Sequence, residues 1–203
     1  MNWKEYIPEI IEANKIYRAK RAEAKRYYNK YKKQVKKYAF LDVITKPKQG
    51  TERQDDIDLE IAINDLFNSI GIKSHRPSNQ DNFDVISKFK NVRIGIEVKN
   101  GGLPGENEMF QAHKYKKRYE SDRNETIHAL VVYNNSKTNQ EFDNNRIKDA
   151  ELNGYGIITT RHLETGYFKL KKDRITFDIF LAQLQKIGVI KYSSKALSKS
   201  INS

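Results

Sequence analysis

Asp84 stands near the start of one strand-like run, and Glu97-Val98-Lys99 lies in another, thirteen positions further on. Strand side chains alternate with period two, so Glu97 and Lys99 share a face and Val98 points away. A hairpin between the two runs would set Asp84 beside Glu97. Two carboxylates and an ammonium in one small volume are costly unless a divalent cation joins them. Asp84 and Glu97 supply the hard oxygens that Mg²⁺ prefers, and the Val98 carbonyl offers a further one. An ion so held polarises a phosphate ester and lowers the pKa of water towards neutrality. Lys99 would position the water or offset charge building on the phosphate in the transition state. The pattern fits metal-dependent phosphodiester hydrolysis. An ordinary same-face pair on an exposed strand has the same Glu-x-Lys spacing and contributes under about 1 kcal/mol. Gly95, on the charged face, is expected to leave room for a ligand or backbone to approach.

Other residues can join this cluster. Glu60 falls at the edge of the apolar arc of a helix, near the expected end of the sheet, or else reaches solvent. Gln111 and Tyr115 lie four apart on the helix after the Glu97 strand and share a face. They are placed to orient Lys99, a water or a phosphate, or to serve as a core tyrosine beside a surface amide. Lys114, Lys117 and Arg118 form a basic flank suited to backbone contacts with DNA. His75, His113, His128 and His162 show no metal-ligand spacing and read as structural, with His113 nearest in sequence to the cluster. The glycine-rich stretch 101–107 lacks the Gly-Lys-Ser/Thr ending of a phosphate-binding loop and reads as a flexible loop over the substrate.

The elements that must position these residues follow from periodicity. Residues 1 to about 39 read as one long helix with Pro8 in its first turn. Trp3, Ile10, Tyr17, Ala24, Tyr31 and Tyr38 recur every seven residues, whereas Asn14 and Arg21 interrupt the companion stripe. The helix either packs its aromatic edge on its own domain, lies along a phosphate backbone, or dimerises. Residues 45–56 read as a linker. A compact α/β pattern follows: a helix over 57–71, strands over 71–77, 83–90 and 92–100, and a hairpin across Lys90-Asn91. A helix over 106–122, a strand over 126–135, a helix over 139–154 and a strand over 155–163 come next. The last elements are a helix over 175–188 and a short strand over 189–192. The expected organisation is a basic helical segment at 1–44, an α/β domain at 45–191 and a disordered tail at 192–203.

Composition narrows the class. The chain has 203 residues, a formal net charge of +12 and a pI near 9.6, which favours a polyanionic partner. Residues 1–38 carry twelve Lys/Arg against four Glu, so most of the excess sits in the first helix. Cysteine is absent, which excludes disulfide scaffolds and thiolate metal sites. No signal-peptide core or membrane-length apolar run is present, so an intracellular, cytoplasmic location is expected.

The order of these residues resembles the PD-(D/E)XK nuclease superfamily: Glu60 on a helix, Asp84, Glu97-x-Lys99, then Gln111-x3-Tyr115. It covers about residues 55–190. The Gln-x3-Tyr pair is similar to the RecB-like branch, and GYGIITTRHL with a following helix resembles prokaryotic defence-associated domains. Phe83 replaces the eponymous proline, and the basic helix lies outside the match. The resemblance implies a restriction-endonuclease-like mixed central sheet flanked by helices and Mg²⁺-dependent hydrolysis of DNA, with Mn²⁺ able to substitute. It further implies Asp84, Glu97 and the Val98 carbonyl as metal ligands, Lys99 as the catalytic lysine, and Glu60, Gln111 and Tyr115 in support. The expected function is an endonuclease of prokaryotic or phage restriction or antiviral defence. A non-cleaving DNA-binding or interaction module and a recombination or junction-repair nuclease are the alternatives. A homodimer through the first helix, or docking to a partner protein, is a further expectation.

Overall fold

The computed structural model of the protein describes residues 7–45, 52–78, 82–100, 104–135 and 140–192. The chain divides into two compact units, 1–39 and 40–203. The first contains one helix, α1 (Ile7–Lys37). Pro8 occupies its first turn, where the missing N–H would have no intrahelical partner anyway. Trp3, at the head of the heptad stripe, lies outside the described residues.

The second unit opens within α2 (Ala39–Thr45), which buries Phe40 and Ile44. These two residues therefore belong to the α/β unit and not to a basic segment reaching residue 44. The next helix, α3 (Glu52–Ser69), begins inside the stretch expected to be linker. Its first turns gain support from Gln54 Nε2, which donates to Asp58 Oδ1 at 2.7 Å, one turn along. Residues 46–51 lie outside the described residues. Leu59, Ala62, Ile63, Leu66 and Phe67 fall on one arc and are buried, which fixes the face α3 turns to the sheet. Gly71, at φ +86, ends the helix, and the Ile72 N–H returns to the Phe67 carbonyl at 3.1 Å.

Six strands make one sheet in sequence order: β1 (Lys73–His75), β2 (Val85–Phe89), β3 (Val92–Asn100), β4 (His128–Asn134), β5 (Gly156–Thr159) and β6 (Gly188–Val189). The first three strands pair antiparallel; β3 to β6 pair parallel. The β2–β3 hairpin turns across Lys90 and Asn91, as expected, with Phe89 opposite Val92 and Lys90 at φ +51. Parallel neighbours need crossovers. The helices α4 (Glu106–Arg123) and α5 (Asn144–Asn153) supply them between β3, β4 and β5; α6 (Thr160–Lys171) and α7 (Phe177–Leu184) lead from β5 to β6. The architecture is the mixed, helix-flanked sheet that the sequence predicts.

Two differences have clear causes. The strand expected over 155–163 stops at Thr159, whose hydroxyl accepts the His162 N–H at 3.3 Å and so caps α6. Tyr192, expected in the tail, is buried and donates its hydroxyl to the Phe180 carbonyl at 2.9 Å. Its ring fills the space above Gly166, where a Cβ would come within 2.6 Å of a ring carbon. Residues 193–203 lie outside the described residues.

Each face of the sheet carries a core. Ile94, Ile96 and Val98 of β3 pack with α2, α3, α6 and α7. Strand alternation turns Gly95, Glu97 and Lys99 to the other face, where α4 and α5 cover Ala129, Val131 and Tyr133. The space over Gly95 is not open to a ligand, contrary to expectation. The Phe83 ring lies on it, and a Cβ there would sit 2.3 Å from two ring carbons. Phe83 immediately precedes Asp84, so the ring seated on Gly95 anchors the segment that delivers the acid. Gly95→Ala is therefore expected to cost about 1–3 kcal/mol in urea denaturation. In a double-mutant cycle the penalty should shrink in a Phe83→Ala background; equal penalties in both backgrounds would contradict this packing.

Candidate functional site

Strand register does the placing. Val85 stands opposite Ile96, and continuing that antiparallel pairing sets Asp84 against Glu97. Asp84 occupies a bend just before β2, and its Oδ2 accepts the Val98 N–H at 2.7 Å. Glu97 is only 4% exposed. Its Oε1 accepts from Lys99 Nζ at 2.7 Å. Its Oε2 is buried with no hydrogen-bond partner among the described residues. Lys99 Nζ also donates to Gln111 Oε1 at 2.8 Å, so an amide from the first turns of α4 fixes the ammonium from the far side. Asp84, Glu97, Lys99 and Gln111 are thus brought together.

Burial sets the electrostatics. Burial first, and then the neighbouring Glu97 charge, push the Asp84 carboxyl up to about 8, against the opposing Val98 N–H. Burial likewise raises Glu97, and Lys99 opposes it. Glu60 contributes to both shifts, so its charge reaches the same volume. Its own carboxylate is held by Arg76, whose Nε donates to Oε2 at 3.0 Å and whose Nη2 donates to the same oxygen. Among the described residues no three His, Asp or Glu side chains gather closely enough to hold an ion. The pair Asp84 and Glu97 still fits a hard divalent cation: its donors are oxygens, the acids outnumber the ammonium, and a buried carboxylate oxygen lacks a partner.

The remaining predicted residues lie around this group. Tyr115 meets the Phe83 ring edge-on at 5.8 Å and so braces the anchor beside Asp84. Lys114, Lys117 and Arg118 are exposed on α4; Lys114 Nζ lies 5.7 Å above the Phe110 ring, and Arg118 Nε is 3.7 Å from Asp122 Oδ2. His113 is structural: its Nδ1 contacts the Asn153 carbonyl at 2.6 Å and its ring stacks on Phe110. Glu106 and Asn107, read both as the end of the 101–107 loop and as the start of the helix over 106–122, open α4, and the Pro104 carbonyl accepts from Arg146 Nε at 2.6 Å. Residues 101–103 lie outside the described residues.

Sequence reasoning missed Arg76, whose sole signal was one arginine after a short strand. It also missed Tyr133, which the parallel β3–β4 register places opposite Lys99, and Asn134, whose Nδ2 donates to Asn100 Oδ1 at 2.8 Å. No spacing within one strand identifies a neighbour supplied by another.

The raised Asp84 pKa has a measurable consequence. The folded chain holds a proton there up to about pH 8, whereas the unfolded carboxyl loses it near about pH 4. The folded state therefore binds more protons across that window, and metal-free stability should fall as pH rises through it. Asp84→Asn keeps an acceptor for the Val98 N–H and removes the charge. It should raise the metal-free Tm at pH 8 by roughly 2–8 °C, for about 1–2 kcal/mol, and flatten the pH dependence. A wild-type Tm that climbs from pH 6 to pH 8 without metal would contradict the assignment.

No family model and no curated protein matches the chain. Solved structures do. The restriction endonuclease FokI is similar at a TM-score of 0.58 and 12% identity, over 75% of this chain and 30% of FokI. FokI bound to DNA gives 0.55 and 11%, with the same shares. The small subunit (R.BspD6I2) of the heterodimeric restriction endonuclease R.BspD6I gives 0.51 and 13%, over 72% of this chain and 86% of the subunit. The chain therefore spans under a third of FokI and most of the R.BspD6I subunit. At these identities the likeness is one of fold, and the protein has the fold of a restriction endonuclease.

Proposed function

We propose that the protein is a divalent-metal-dependent deoxyribonuclease that hydrolyses DNA phosphodiester bonds as an endonuclease of restriction or defence. The observation that carries this reading is the buried, partnerless Glu97 Oε2 beside Asp84 in a chain with a restriction-endonuclease fold. Asp84, Glu97 and the Val98 carbonyl would hold Mg²⁺, or Mn²⁺ in its place. When bound, such an ion supplies positive charge to the scissile phosphate and eases deprotonation of water. Lys99, fixed between Glu97 and Gln111, presents its ammonium where charge builds on the phosphate. Gln111 positions Lys99. Glu60, released from Arg76, adds a carboxylate to the same field, and Tyr115 steadies the segment before Asp84 through Phe83. Lys114, Lys117 and Arg118 offer phosphate contacts along α4. The similarity to one subunit of a heterodimeric enzyme supports action beside a partner chain.

The test is cleavage of supercoiled and linear duplex DNA in Mg²⁺ or Mn²⁺. Wild-type protein should cut, and EDTA should stop it. Lys99→Ala should lower the cleavage rate by about a hundred- to a thousandfold, with DNA binding in Ca²⁺ retained. A wild type inert in both metals would overturn the reading; full activity in Lys99→Ala would overturn the assigned role of the lysine. Gln111→Ala should reduce the rate about ten- to a hundredfold by loosening Lys99, with little change in substrate affinity. An unchanged rate would remove Gln111 from the machinery.

A further inference from the structure

The helix α1 is a surface that the proposed cleavage chemistry does not use. It spans Ile7–Lys37 and carries eleven Lys/Arg against three Glu. Every described side chain from Lys15 to Lys30 is exposed. The charges are also sorted around the helix. Arg18, Arg21 and Lys25 repeat at i, i+3 and i+7 and form one stripe; Lys15, Arg26 and Lys30 flank it on one side. Tyr17 and Tyr27, 62% and 66% exposed, lie outside that stripe, Tyr17 one turn before Arg21, and the exposed Lys20 falls between the two tyrosines. From Lys15 to Lys30 the cations cover about 22 Å, roughly two thirds of a duplex turn.

We infer that α1 is a docking element for the phosphate backbone of duplex DNA, bound without regard to sequence. The proposal draws on the nuclease reading solely for the choice of polymer. Charge complementarity identifies the occupant: a row of exposed cations along one helix matches a polymer with one negative charge per about 1.7 Å of axis. A second copy of the helix fits poorly. Two such helices would bring their like charges together, and Asn14 and Arg21 interrupt the second apolar stripe that a coiled-coil seam requires. An anionic lipid surface meets the same charge, but the described arc outside the stripe sets Lys20 between Tyr17 and Tyr27, where an interfacial helix needs a continuous, deep apolar face.

The experiment measures binding of the full chain to a fluorescent 30-base-pair duplex in EDTA, where cleavage cannot occur, across a range of salt. The triple variant Arg18→Gln, Arg21→Gln, Lys25→Gln retains good helix formers. It should bind about ten- to a hundredfold more weakly at 0.15 M salt, and its log–log salt slope should fall by roughly three. The charge-preserving variant Arg18→Lys, Arg21→Lys, Lys25→Arg should bind as wild type. Lys172→Gln with Arg174→Gln, exposed in the second unit, should leave the slope nearly unchanged. Wild-type affinity and slope in the triple glutamine variant would overturn the proposal. So would tighter binding to phosphatidylserine vesicles than to DNA, or self-association that the glutamine variant strengthens with no change in DNA binding. A chain that binds through α1 but never cuts would overturn the nuclease reading and leave this one standing.

Discussion

Asp84 and Glu97 repel one another in a volume largely withdrawn from water, and the groups around them answer that repulsion. Isolated in such a place, either carboxylate would simply hold its proton. The chain opposes this with one backbone N–H on Asp84 and one ammonium on Glu97. The compensation is partial, and Asp84 remains raised to about 8. Metal-free, the group is a poised arrangement, and under the proposed function a cation would complete its charge. Its instability is therefore tied to its chemistry, since the same repulsion that weakens the fold at high pH favours ion binding.

Holding that repulsion in place falls to β3, where the sheet changes character. On one side it pairs antiparallel with β2, whose preceding bend carries Asp84. On the other it pairs parallel with β4, which sets Tyr133 opposite Lys99. One face of β3 is sealed by the α3 core through Ile94, Ile96 and Val98, so the strand cannot slip by a residue without burying Glu97 in hydrocarbon. The other face takes Phe83 over Gly95, then Glu97, then Lys99, with α4 closing over them through Tyr115 and Gln111. Burial falls and polarity rises along one strand, from the aromatic anchor to the ammonium.

Much of this was legible in the chain. Period-two alternation gave β3 its ends and both its faces, because a nine-residue strand with a buried side leaves no other register. The four-residue spacing of Gln111 and Tyr115 placed both beside the sheet. What was not legible depended on partners distant in sequence. Gly95 looked like space because a strand pattern does not say which ring lies above it. Residues 160–163 looked like more strand because a β-branched cap and a β-branched strand residue are the same letter; Thr159 ends β5, and its hydroxyl, accepting the His162 N–H, starts α6. Arg76 was invisible because its pairing with Glu60 spans an irregular connection from α3.

The division of charge between the two units has its own logic. A site that concentrates negative charge repels a polyanion, since the Asp84–Glu97 pair and Glu60 act on each other before any phosphate arrives. Cations at the site would lessen that repulsion but would also compete for the carboxylates, as Lys99 does with Glu97 and Arg76 with Glu60. On the proposed reading, carrying most of the excess positive charge on a separate helix avoids the conflict. Under the proposed docking role, the eleven cations of α1 supply an attraction for a phosphate backbone that the acidic site itself does not. On the proposed reading, attraction of the polymer and retention of a hard cation make opposite demands on local charge, and the chain carries the two sets of residues in separate compact units.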